Sequence, residues 1–210
     1  MESRFDESQQ RLLQTIFERG AENASQALSS WLGRSMRLTV SGFEECELSD
    51  ATGALGPEDT LVASCSMELR NRLSGELILV FEDRSGLALT DLILGFSPGT
   101  ASEWGELEQS AALETANIVG CAFLNAIGSH LPHEAGQEPL VPSPPTFRRE
   151  YAGSLLQFAL MDQALDSDRV FLVRTRFTSE ESELAWWLLF VPTHDSLNEL
   201  SRALAPGGSR

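Results

Sequence analysis

From Ser110 to Ile127 the chain reads Ser-Ala-Ala-Leu-Glu-Thr-Ala-Asn-Ile-Val-Gly-Cys-Ala-Phe-Leu-Asn-Ala-Ile. No other stretch constrains the fold as tightly. At 100° per residue, Ala112, Ala116, Val119, Phe123 and Ile127 fall on one side of a helix. Ser110, Glu114, Asn117, Cys121 and Asn125 fall on the other. The first set asks for burial and the second for exposure. Glu114 and Asn117 are three residues apart, so they project side by side. A carboxylate beside a carboxamide, with no cation adjacent, is more than solubility requires.

Around this helix the chain predicts an alternation of helices and strands. Residues 8–32 read as a long amphipathic helix with Leu13, Phe17, Ala24 and Leu28 on one face and Gly33 as its stop. Residues 36–47 alternate as a strand, with Leu38 and Val40 on one side. A Gly-, Asp- and Pro-rich loop covers 49–59. Strands at 61–69 and 73–81 flank a tight turn at Arg70-Asn71-Arg72. A short helix at 87–94 ends at Gly95, and 97–100 form a turn. The long helix is expected from 103 to 131, with Pro132, Gly136 and Pro139 marking its exit. After the extended Pro142-Ser-Pro-Pro145 come strands at 154–162, 169–178 and 183–191. A last helix at 196–203 precedes a disordered tail at 205–210. Trp31 is expected in the core. Trp186 and Trp187, being adjacent in a strand, are expected on opposite faces.

The order of long helix, strands and short helix thus occurs twice. At an offset of 99, Ala27-Leu28 falls on Ala126-Ile127, Gln26 on Asn125 and Phe17 on Ala116. We therefore expect one domain over 1–204, with pseudo-repeats at roughly 8–95 and 103–204.

Composition and spacing narrow the function further. The net charge of −16 argues against nucleic acid or an anionic membrane as a partner. All 15 basic residues are Arg, which excludes catalytic-lysine chemistry. Cys46, Cys65 and Cys121 form no C-x-x-C pair, and an odd count fits a reducing compartment. The first residues lack a signal-peptide pattern, and the apolar run at 184–191 is too short to span a bilayer. A cytoplasmic protein is the expectation. His130, His133 and His194 are not spaced as metal ligands, because Pro132 interrupts the first pair and no third ligand completes a set. No metal is expected. Cys121 reads as a small filler on the polar face, since a reactive thiol needs nearby positive charge.

The pattern Ser110-x-x-x-Glu114-x-x-Asn117, followed by Gly120 and Asn125-Ala126, resembles the active-site helix of the CheC/CheX/FliY phosphatases. These remove the phosphoryl group from the response regulator CheY in bacterial chemotaxis. In the first helix, Gly20-Ala-Glu22-Asn23-Ala24 and Ala27-Leu28-Ser29-Ser30-Trp31-Leu32-Gly33 are similar to that family's G-x-G-N-A and A-L-S-x-x-L-G. The resemblance implies an α+β, CheC-like fold: two pseudo-symmetric repeats of a long helix plus antiparallel strands, with the helices packed on a sheet. The offset puts Thr15 opposite Glu114 and Glu18 opposite Asn117, so the first helix is expected to carry a degenerate site. Glu22 and Asn23 are adjacent and point about 100° apart, so they cannot reproduce the pair.

The resemblance also implies roles. Asn117 is expected to orient the attacking water, and Glu114 to pair with the regulator's Lys. Ser110, Cys121 and Asn125 are expected at the partner contact. No cofactor of its own is implied, the Mg²⁺ belonging to the partner receiver domain. The implied partner is a phosphorylated CheY-type receiver. The rival reading is a non-enzymatic adaptor that binds CheD or the flagellar switch, and a homodimer is among the assemblies such relatives form. A second rival is a plain sensor or scaffold domain in which Glu114 and Asn117 are replaceable.

Overall fold

The computed structural model describes residues 5–47, 55–131, 139–155, 169–178 and 183–205, together with Asp50 and Gly53. The described elements are α1 (Glu7–Leu32), β1 (Arg37–Glu47), β2 (Leu61–Arg70), β3 (Gly75–Glu82), α2 (Asp83–Leu94), α3 (Glu106–Gly128), β4 (Val141–Pro142), β5 (Thr146–Tyr151), β6 (Arg169–Thr178), β7 (Glu183–Pro192) and α4 (His194–Ala203).

Among the described residues all strand pairs are antiparallel and make one seven-stranded sheet in the order β1-β6-β7-β3-β2, with β4 and β5 both on the outer side of β2. The strands interleave between the two halves of the chain. Exchanging β1 with β5, β2 with β6 and β3 with β7 reproduces the same order from the opposite edge. The sheet is therefore closed at its centre by β3 against β7, one strand from each half.

Central strands in such a sheet bury both faces, which explains their unbroken apolar runs. On the helix side, Met67, Leu77, Leu79, Trp186, Leu188 and Phe190 join the main core with α1 and α3. On the other side, Ile78, Val80, Leu172, Leu189 and Val191 form a second cluster with Leu55, Ala152 and Leu155. Trp186 is buried against Phe81, with ring centroids 5.1 Å apart. Trp187 faces the opposite way, half-buried, with the Arg174 guanidinium 4.4 Å over its ring. The split expected of this pair is what the sheet produces.

α1 begins in a capping box: Asp6 accepts from the Ser8 and Gln9 amides, and Gln9 accepts from Asp6 N–H. It ends at Gly33, whose φ of 65° suits glycine. Two serines then tie its last turns to β1. Ser29 Oγ accepts from Met36 N–H at 2.9 Å and donates to Met36 O at 3.0 Å. Ser25 Oγ accepts from Leu38 N–H at 2.8 Å and donates to Ala21 O at 2.7 Å. The Ser29 of the A-L-S-x-x-L-G stretch thus has a backbone role.

Several boundaries differ from the expectation. α3 spans Glu106–Gly128, shorter at both ends than 103–131. Trp104 is not helical; it is buried against Gly86 and Phe147 ahead of the first turn. α2 starts four residues early, because the Glu82 carboxylate caps it by accepting from the Arg84 and Ser85 amides. The strand expected at 154–162 is displaced: β5 covers Thr146–Tyr151, residues 152–155 are helical, and 156–162 lie outside the described residues. Trp31 is 44% exposed and not in the core. The buried ridge of α1 runs through Ala24 and Leu28 and continues to the half-buried Leu32, which leaves Trp31 beside it. The helix exit at 132–138, residues 49, 51, 52 and 54 of the expected 49–59 loop and the tail at 206–210 lie outside the described residues.

Candidate functional site

The site is the outer face of α3, and its position follows from how the inner face is held. Every residue of the predicted apolar side is buried: Ala112, Ala116, Val119, Phe123 and Ile127. Gly120 lets the helix settle on the sheet, since a Cβ there would stand 2.5 Å from Met67 Cε. Gly20 does the same between helices, because a Cβ would stand 2.6 Å from Phe123 Cδ1 and 3.1 Å from Phe123 Cα. α3 therefore sits between α1 and β2 with little freedom to rotate. By length and apolar composition it is also a candidate membrane span among the described helices, yet it is the buried core helix of this fold.

At the N-terminal end, two carboxylates anchor the approach to α3. Asp83 accepts from Trp104 Nε1 at 2.9 Å and, bidentately, from Arg149 Nε at 2.7 Å and Nη2 at 2.9 Å. Asp91 accepts from the amides of Gly99, Thr100 and Ala101 at 2.8–3.0 Å. Gln109 Nε2 donates to Trp104 O at 2.9 Å and joins the helix to this anchor.

The Arg149 guanidinium beside Asp83 holds its carboxyl below the usual carboxylate range, against the opposing effect of burial. A lowered folded-state value means that this contribution to stability is full above the unfolded value of about 3.9 and is lost as pH falls through the folded one. Arg149 is half exposed, which screens the pair. We expect Asp83→Asn to lower stability at pH 7 by about 1 kcal/mol. The difference from wild type should begin to shrink only below about pH 4 and be lost as pH falls through the lowered folded value, as read by denaturant unfolding at pH 7 and at steps below pH 4.

The outer face carries the predicted residues together. Ser110, Glu114 and Asn125 are exposed, and Asn117 and Cys121 are half-buried. Cys121 Sγ lies 3.8 Å from Asn117 Oδ1. Burial, and secondarily the Glu114 carboxylate, push the Cys121 thiol up. Among the described residues, Glu114 makes no ion pair. The helix carries Glu106, Glu108 and Glu114 and no basic residue. A carboxylate left without a cation on a rigid helix is available to one brought by a partner. The carboxamide beside it can donate through Nδ2 and accept through Oδ1.

Thr15 and Glu18 are exposed on α1, and their side chains bond within that helix. Thr15 donates to Arg11 O at 2.9 Å, and Glu18 accepts from Gln14 at 3.0 Å. They do not join Glu114 and Asn117. Leu107, absent from the expected set, is 54% exposed and lies two turns before Glu114 on the same face. Its signal in the sequence is a large apolar side chain on a polar face. His130 Nδ1 is 3.0 Å from Ala126 O at the helix end, and His133 lies outside the described residues. Among the described residues, no group of three His, Cys, Asp or Glu side chains could hold a metal. A groove of about 900 Å³ between α1 and β1 is lined by Glu22, Ser25, Ser29 and Arg37, away from Glu114 and Asn117.

No protein-family model matches the chain. Solved structures do. FliY of Thermotoga maritima superposes with a TM-score of 0.72 at 18% identity, covering 96% of this chain and 98% of that one. A FliM middle domain from H. pylori gives 0.64 at 14% identity, covering 95% and 98%. A chain of the FliG–FliM complex from H. pylori gives 0.66 at 14% identity, covering 93% and 99%. Coverage near the full length of both partners extends the likeness to the whole arrangement of helices on the sheet.

Proposed function

We propose that this chain, which has the fold shared by FliY and the FliM middle domain, is a phosphatase for the aspartyl phosphate of a CheY-type receiver. The observation that carries the reading is Glu114 exposed beside Asn117 on a helix whose other face is locked into the core. A receiver already supplies the acyl phosphate, its Mg²⁺ and a Lys, the Mg²⁺ polarising the phosphoryl oxygens. What hydrolysis still needs is a water held in line. Asn117 holds that water by a hydrogen bond and takes no proton from it, because phosphoryl transfer is governed by positioning and charge stabilisation. The water oxygen bonds to phosphorus as the bond to the aspartyl oxygen breaks, yielding free carboxylate and inorganic phosphate.

Glu114 pairs with the receiver's Lys and fixes the docking register. Docking removes water from the pair, where its geometry counts for more than on an open surface. Ser110 and Asn125 flank the contact. We expect Glu114→Gln to slow stimulated hydrolysis about tenfold or more, mainly by loss of alignment. Undiminished activity in that variant would remove the docking role.

The test is the decay of phosphorylated receivers from the same organism, with and without this protein. Faster decay supports the reading, and unchanged decay of every receiver opposes it. The second reading, a switch adaptor, is favoured by the α1 face, where Thr15 and Glu18 stand in place of the pair, and by the likeness to FliM chains. It predicts stable co-purification with a partner and no change in phosphoryl lifetime.

A further inference from the structure

The two ends of an Asn side chain differ chemically: one accepts and the other donates two protons. Which end faces the partner decides how Asn117 can hold a water. Cys121 follows Asn117 by four residues on α3, so their side chains stack along the helix face. Its sulfur lies 3.8 Å from Asn117 Oδ1, and both residues are half-buried. A thiol has one proton to donate, and Asn117 Oδ1 is its acceptor here. The thiol is pushed above its ordinary value by burial and by the Glu114 carboxylate, so it keeps that proton near neutral pH. A sulfur facing the NH₂ end instead would act only as a weak acceptor.

We infer that Cys121 is a positioning residue: its thiol donates to Asn117 Oδ1 and so holds the carboxamide with Nδ2 turned to the outer face. Asn117 then binds the attacking water by donating to its oxygen. Glu114 acts on the same unit at a distance, since its charge disfavours the thiolate that would reverse the bond. The kinetic part of this inference rests on the phosphatase reading, whereas the bond itself does not.

The infrared S–H stretch separates the two. The Cys121 band is the difference between wild type and Cys121→Ser, in which Cys46 and Cys65 cancel. In Asn117→Ala this band should move to higher frequency as the S–H is released, and an unmoved band overturns the inference. In receiver dephosphorylation, Cys121→Ala should lower kcat by about 2–10-fold, the worth of one neutral hydrogen bond, at unchanged KM. Cys121→Ser, which keeps a donor, should recover most of the loss, and both variants should melt with the wild type. Full kcat in Cys121→Ala also overturns the inference. If the wild-type protein accelerates no receiver, the phosphatase reading fails, and the band shift alone still decides the bond.

Discussion

Replacing Asn117 by Ala is expected to slow stimulated acyl-phosphate hydrolysis by about 10²–10³-fold, the size seen when one well-placed polar group is removed from a reaction centre. The reason is geometric. Asn117 stands on a helix seated on Met67 through Gly120 and against α1 through the Phe123–Gly20 contact. The carboxamide is therefore presented at a set height, and in the proposed complex Ala would leave that position to unordered water. Its half-buried place makes no packing demand comparable with the inner face, so the melting temperature should hold within a degree or two. Paired measurements of receiver decay and thermal unfolding check both halves. An active Asn117→Ala with an intact fold would sink the assignment.

The second large effect is on stability. Phe17 is fully buried, with ring centroids 5.4 Å from Phe43, 5.9 Å from Phe123 and 6.3 Å from Phe190. One side chain thus joins α1, β1, α3 and β7. Phe17→Ala should cost about 3–5 kcal/mol through lost burial and the cavity left behind. For a chain of this size that lowers the melting temperature by roughly 6–20 °C. Calorimetry checks the figure, and a drop of less than about 2 °C would mean that the four elements repack around the gap. Asn117→Ala and Phe17→Ala should separate cleanly, one losing rate without stability and the other stability first.

What the residue order discloses of the fold follows from the same physics. The two faces of α3 were legible because a helix buried on one side imprints its 3.6 period on the residue order. The offset of 99 was legible for a related reason. The buried Leu13, Ile16, Phe17, Gly20, Ala21, Ala24 and Leu28 fall, at that offset, on Ala112, Thr115, Ala116, Val119, Gly120, Phe123 and Ile127, all buried. β7 announced itself by an apolar run, but a run buried on both faces does not disclose which residue faces the helices. β5 is not legible because Thr-Phe-Arg-Arg-Glu-Tyr belongs to an edge strand, where charges are tolerated and Phe147, packed on Trp104, is its one half-buried apolar residue. The early start of α2 was missed because its cap is a Glu, outside the usual capping set. The bond from Cys121 to Asn117 satisfies ordinary i,i+4 spacing, yet nothing in the spacing alone says that the thiol turns toward the oxygen.

The serines at the end of α1 also bear on how copies of this protein can meet. Among the described strands β1 is an outermost one of the sheet, and unpaired outer strands are templates for strand addition from another chain. Here the outward amides of Met36 and Leu38 are already spent on Ser29 and Ser25. A neighbouring chain that tried to extend the sheet at this end would have to take these two amides from Ser29 and Ser25. Strand addition along the Met36–Leu38 stretch of this margin would therefore compete with bonds the chain already makes to its own first helix.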